Sequence, residues 1–102
     1  MNFGRKRFGE LIARQLGFFV DDDAGLLRDV DAALEAYNRA DRDEAEERYG
    51  DYQLTIEAAT DRLAELRDTY ARTLEDPDEY VEAFNKAVVA RWPALSLTIE
   101  ES

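Results

Sequence analysis

The sequence predicts an all-α protein: a long antiparallel helical hairpin with two flanking helices, completed as a helical bundle by dimerisation. Three observations lead there. Ala45, Tyr49, Tyr52, Ile56, Ala59, Leu63, Leu66, Tyr70 and Thr73 recur at alternating four- and three-residue steps without a slip, the spacing of a coiled-coil seam. Three further stretches carry apolar residues at helical spacing, separated by aspartate-rich, polar or proline-containing breaks. The chain has 102 residues and no cysteine, so one small domain must hold together without disulfides.

The first helix is expected from about Gly4 to Phe19, with Phe8, Leu11, Ile12, Leu16 and Phe19 on one face. Asp21, Asp22 and Asp23 then offer an N-cap and negative charge where a helix start favours both. The second helix follows, with Leu27, Val30, Leu34 and Tyr37 in one row, flanked by Leu26 and Ala33. The polar run 38–43 is read as a tight turn. The third helix runs from about Asp43 to Leu74, straight through Gly50, because a break there would leave the unbroken seam as coincidence. Asp76, Pro77 and Glu79 stop it and open the fourth helix as N-cap, N1 and N3. That helix reaches about Arg91, turns Val81, Phe84, Val88 and Trp92 inward, and ends at Pro93. Residues 95–99 alternate with period two, which predicts a strand or an extended segment docked on a neighbour.

Length then argues for a second copy. A 32-residue third helix would be about 48 Å long, whereas a compact 100-residue domain has a radius of gyration of about 13 Å. The second and fourth helices each cover one half of it, which gives a layer and not a closed core. Phe3, Phe8, Phe18, Phe19, Val20, Trp92 and the 95–99 segment also need burial, and a twofold partner is the commonest remedy.

The charge is divided. Residues 1–20 carry four basic side chains against one acidic, and residues 21–102 carry nine against 23. The chain therefore divides into a basic amphipathic helix (1–20), an acidic helical body (21–92) and an extended tail (93–102). An acidic body repels nucleic acid and anionic lipid, since phosphate binding needs clustered lysine or arginine. Only Lys6 and Lys86 are lysines, a composition expected of a GC-rich prokaryotic genome or of salt adaptation. No apolar run is long enough for a membrane span, and no secretory signal is apparent, so a cytoplasmic protein is expected.

Absent histidine and cysteine remove zinc fingers, Ser-His-Asp hydrolases and cysteine nucleophiles. Carboxylates are the remaining catalytic groups. Glu44, Glu46 and Glu47, with Glu65 and Asp68, loosely resemble the paired acidic motifs of all-α nucleotide pyrophosphohydrolases, which hold magnesium between helices. A third glutamate of the first motif would fall at Gly50. On one continuous helix Glu47 and Glu65 stand about 27 Å apart, too far to share a metal. No catalytic, cofactor-binding or metal-ligating residue is assigned. The segment 43–49 resembles the opening of the second helix of a tetratricopeptide repeat, but over seven residues only, and Tyr37 is one place out of phase.

Tyr37, Tyr49, Tyr52 and Tyr70 lie on predicted seams, where aromatic residues pack with their hydroxyls at the rim or line a ligand pocket. The first helix sets Phe8, Ile12, Leu16 and Phe19 against Arg5, Lys6, Arg7 and Arg14, which suits docking on an acidic surface in cis or on a dimer mate. Interface candidates are Phe8, Ile12, Leu16, Phe19, Tyr49, Tyr52, Tyr70 and Trp92. The expected function is a helical interaction or scaffolding module that self-associates and presents a surface to a protein partner. The alternatives are a magnesium-dependent nucleotide hydrolase, or a peripheral membrane module acting through the first helix.

Overall fold

A computed structural model describes the backbone from Phe3 to Glu101 and the side chains from Arg7 to Glu101. Five α-helices follow in order: α1 (Phe3–Asp22), α2 (Ala24–Arg39), α3 (Ala45–Ala71), α4 (Asp78–Arg91) and α5 (Ser96–Glu101), the last preceded by a 3-10 turn at Pro93–Leu95. No strand occurs among the described residues.

α1 and α2 are nearly one helix, bent at Asp23. The Asp23 N–H donates to the Phe19 carbonyl at 2.8 Å, and the Leu26 N–H donates to the Asp23 carbonyl at 2.9 Å. Asp23 stands at the N-cap position but its carboxylate caps nothing. The Asp23 backbone, at φ −116° and ψ 30°, departs from the extended geometry of a capping residue, and its carboxylate accepts from the Arg62 guanidinium at 3.1 Å, an ion pair between helices. That pair, with Tyr37 packed on Tyr49 at 5.3 Å between ring centroids, makes α2 antiparallel to the first half of α3.

The second half of α3 lies in a thicker body. α1 packs on α4 in parallel, because Phe8 meets Tyr80 at 5.3 Å near one end and Phe19 meets Trp92 at 5.5 Å near the other. α5 packs across α3 and α4. The core gathers Phe8, Ile12, Leu16 and Phe19 from α1, Ile56, Ala59 and Leu63 from α3, Tyr80, Phe84 and Val88 from α4, and Leu95 and Ile99 beyond. The described chain is therefore elongated, 50 × 24 × 23 Å, with a radius of gyration of 15.3 Å.

Several sequence expectations need correction. The long helix is continuous through Gly50 but spans 27 residues, about 40 Å, and stops at Ala71 because Thr73 and Leu74 close tight turns onto the carbonyls of Tyr70 and Ala71. Thr73, placed at the end of the seam, is exposed outside the helix. α4 begins one residue later than capping arithmetic suggests; the Asp76 carboxylate accepts from the Asp78 N–H at 3.3 Å. Tyr80, which adjoins the predicted row, is fully buried, while Val81 and Trp92 are half-buried.

The tail is not extended. Residues 96–101 are helical, with Leu95 and Ile99 buried and Leu97 outside. Three apolar residues at alternate positions satisfy both a strand and a four-residue helical step, and burial of two of them against α3 and α4 selects the helix. Of the two docking modes open to α1, the structure shows the one in cis: its apolar face lies in the same core as α3 and α4. The expectations for the side chains of Phe3, Arg5 and Lys6 lie outside the described residues.

Two substitutions test this architecture. Gly50 is helical with no positive φ, and nothing lies within 4 Å of an added Cβ. Gly50→Ala should therefore raise stability by about 0.5–1 kcal/mol in denaturant melts; a loss would mean that the helix breaks there. Leu63 is fully buried and Leu54 is 65% exposed. Leu63→Ala should cost about 2–5 kcal/mol and Leu54→Ala about 0.5 kcal/mol or less; equal losses would contradict the assigned faces.

Candidate functional site

α2 and the first half of α3 form a layer one helix deep. No residue from Ala24 to Thr55 is buried, although α2 carries a full apolar row. Leu26, Leu27, Val30 and Tyr52 are half-covered, and the coverage thins toward the free end, where Leu34, Tyr37 and Tyr49 are each more than one-third exposed. Apolar side chains at three- and four-residue steps make this pair helical; the body supplies nothing to lie on its open side.

That open side has a definite boundary. Tyr49, Tyr52, Gln53, Ile56 and Glu57 of α3 form one wall of a groove of about 220 Å³, and Ala94, Ser96, Leu97 and Thr98 form the other. The groove marks where α5 and its leading turn stop covering α3. Leu97, 73% exposed, stands at its lip. Tyr37, Tyr49 and Tyr52 make a ladder beside it, with Tyr49 and Tyr52 6.4 Å apart.

The interface candidates separate into two groups. Phe8, Ile12, Leu16 and Phe19 are at most 6% exposed within the chain's own core, so they offer no surface to a second chain. The sequence leaves open whether this face docks in cis or on a mate, because nothing in the linear pattern of α1 tells that α4 covers it. Tyr70 is half-buried, its ring 4.8 Å from Tyr80, and half-buried Trp92 packs on Phe19. Tyr49 and Tyr52 remain on the open side. The tyrosines therefore do not form one stripe: Tyr37, Tyr49 and Tyr52 line the open layer, whereas Tyr70 and Tyr80 belong to the body.

The acidic motifs do not converge. Glu44 precedes α3, and Glu46, Glu47, Glu65 and Asp68 all lie on that one helix. No group of three or more carboxylates among the described residues is close enough to hold a metal ion. Arg62 takes up two of the acids, pairing with Asp23 and with Glu65 at 3.4 Å.

The body holds two polar features that the seam did not reveal. Arg67 is 4% exposed. Its guanidinium donates to the Asp68 carboxylate and to Asn85 Oδ1 of α4, both at 2.8 Å, and to the Ile99 carbonyl of α5 at 3.3 Å. A planar donor fork satisfied on three sides joins three helices at one point. The spacing Thr60, Leu63, Arg67, Ala71 could have disclosed it, as a charged residue on a second apolar row of α3. Tyr80 donates from its hydroxyl to Gln15 Oε1 at 2.8 Å. Burial pushes its phenol up from 10.0 to about 12.

No protein family, curated protein or solved structure matches the chain. No helix among the described residues is long and apolar enough to cross a membrane.

The Tyr80 environment makes an alkaline prediction. Its folded pKa lies above the unfolded value, so the stability it contributes is present below pH 10 and is lost as pH rises toward about 12. Of the five tyrosines, one should titrate late by ultraviolet absorbance. Tyr80→Phe should remove that late step and flatten the fall of stability over this window. An unchanged titration would show that Tyr80 is not the buried phenol.

Proposed function

We propose that the chain is a non-catalytic interaction module, and that its α2–α3 pair acts as a long antiparallel hairpin completed to a bundle by another chain. The observation that carries this reading is the absence of any buried residue from Ala24 to Thr55, in a segment that still exposes Leu34, Tyr37 and Tyr49. An apolar face bordered by polar residues is the usual mark of a docking surface. A helical layer accepts another helix by laying apolar rows into the groove between its two members. The scattered placement of the carboxylates along one helix supports a binding role over metal-assisted hydrolysis.

Completion by a second copy is a second reading. It is favoured by the continuity of the face from α2 onto α3, which would let two hairpins stack about a twofold axis. Most of the residues that first argued for dimerisation are already covered within the chain: Phe8, Phe19, Leu95 and Ile99 are buried, and Val20 and Trp92 are half-buried. What still favours it is the open layer itself, together with the exposed side chains of Phe18 and Leu97. Light scattering at low micromolar concentration distinguishes 11.7 kDa from twice that mass.

A face kept for binding tolerates polar replacement in the isolated chain. Tyr49→Gln and Leu97→Gln should each cost about 1 kcal/mol or less in denaturant melts. Losses comparable to that of Leu63→Ala would make these side chains structural and contradict the reading.

A further inference from the structure

The open layer has a charge as well as a shape. Residues 24–57 hold ten acidic side chains against four basic. Two of the four are engaged beside the layer, Arg39 with Glu35 and Arg48 with Asp51. On α2, Asp31 shares a row with Leu27 and Leu34 at four- and three-residue steps; on α3, Glu46, Gln53 and Glu57 continue one another by sevens and fours. Asp31, Glu46 and Glu57 are exposed. The apolar strip of Leu34, Tyr37 and Tyr49 is therefore flanked by carboxylates on both helices.

A second copy answers this arrangement poorly. Its own hairpin would bring the same carboxylates, and like charges held across an interface weaken association. Its basic helix, α1, is committed to the core through Phe8, Ile12, Leu16 and Phe19. Resting on the interaction reading above, we infer that the α2–α3 face takes an amphipathic helix of another protein, apolar along one stripe and lined with lysine or arginine on both flanks. α2 is 16 residues long, about 24 Å, so the face fits a helix of about four turns. One end of that helix abuts Ala94, Ser96 and Leu97, where the groove closes. Apolar packing holds the partner, and the flanking charges orient it and speed its arrival.

The experiment titrates the full chain with three synthetic peptides of about 16 residues. One is a helix with leucines at three- and four-residue steps and lysine flanks. The second has the same leucines with glutamate flanks, and the third scrambles the first. Binding is followed by backbone amide shifts. The lysine-flanked helix should bind at least about tenfold tighter than either control, with shifts confined to residues 24–57 and 94–98. The double variant Tyr49→Gln/Leu97→Gln should weaken it by about tenfold while the melting temperature moves little.

Equal binding of the lysine- and glutamate-flanked helices at this face would overturn the charge assignment and leave the interaction reading standing. So would a failure of all peptides together with a mass of twice 11.7 kDa, since a second copy would then occupy the face. Failure of all peptides on a monomer would overturn both. Binding of the scrambled peptide as tightly as the helix, or shifts spread over the body, would reduce the effect to general attraction between opposite charges and overturn the inference.

Discussion

A helix of 27 residues runs for about 40 Å, and the rest of this chain has apolar side chains enough to enclose one end of it. α1, α4 and α5 gather around residues 56–71, where every buried residue of α3 is found. α2 alone accompanies the other end. The unevenness follows from where the connections fall. The bend at Asp23 carries α2 along the first part of α3 and leaves α1 lying on α4, while α4 turns back after Ala71 and α5 packs on α3 and α4. A two-helix layer joined to a four-helix body is the result.

The body is held by contacts that tie its helices in different directions. Phe8 on Tyr80 and Phe19 on Trp92 fix α1 against α4 at both ends. Arg67 fixes α3 to α4 and α5 through Asn85 and the Ile99 carbonyl. A buried guanidinium is costly unless its donors are met, and here they are met by groups from three helices. Removing any one partner therefore disturbs the others. The layer has no counterpart to this. Among the described residues its interhelical ion pair is the Arg62–Asp23 bridge at its root, and the exposed pairs along its helices, such as Arg39 with Glu35, contribute little. Stability is thus concentrated at one end of the long axis, and the proposed binding face lies at the other.

Much of this was legible in the residues, and the failures have physical causes. The helical class, the turn after Arg39, the continuity through Gly50 and the stop before Pro77 follow from period and capping chemistry, which act locally. The inward row of α1 was also correct, because burial on one face leaves a periodic trace. What covers that row was not legible, since packing of α1 on α4 joins residues some 70 positions apart. The tail failed because Leu95, Leu97 and Ile99 fit two periods at once. Arg67 was passed over because the seam was read as one stripe, whereas α3 is covered on two sides in the body and so carries two rows. For the candidate site, the same seam carries Tyr49 and Tyr52, but their grouping with Leu97 depends on where α5 lies.

The central claim is that the chain is thick and self-sufficient at one end, thin and incomplete at the other. Native-state amide hydrogen exchange tests it most directly, at a concentration where the chain is monomeric. Amides of 56–71 and of α4 should exchange only through global unfolding, whereas α2 and residues 45–55 should open locally at a distinctly lower free energy. Uniform protection from α2 to α4 would contradict the account, because it would mean that the α2–α3 layer needs no further chain to be as stable as the body.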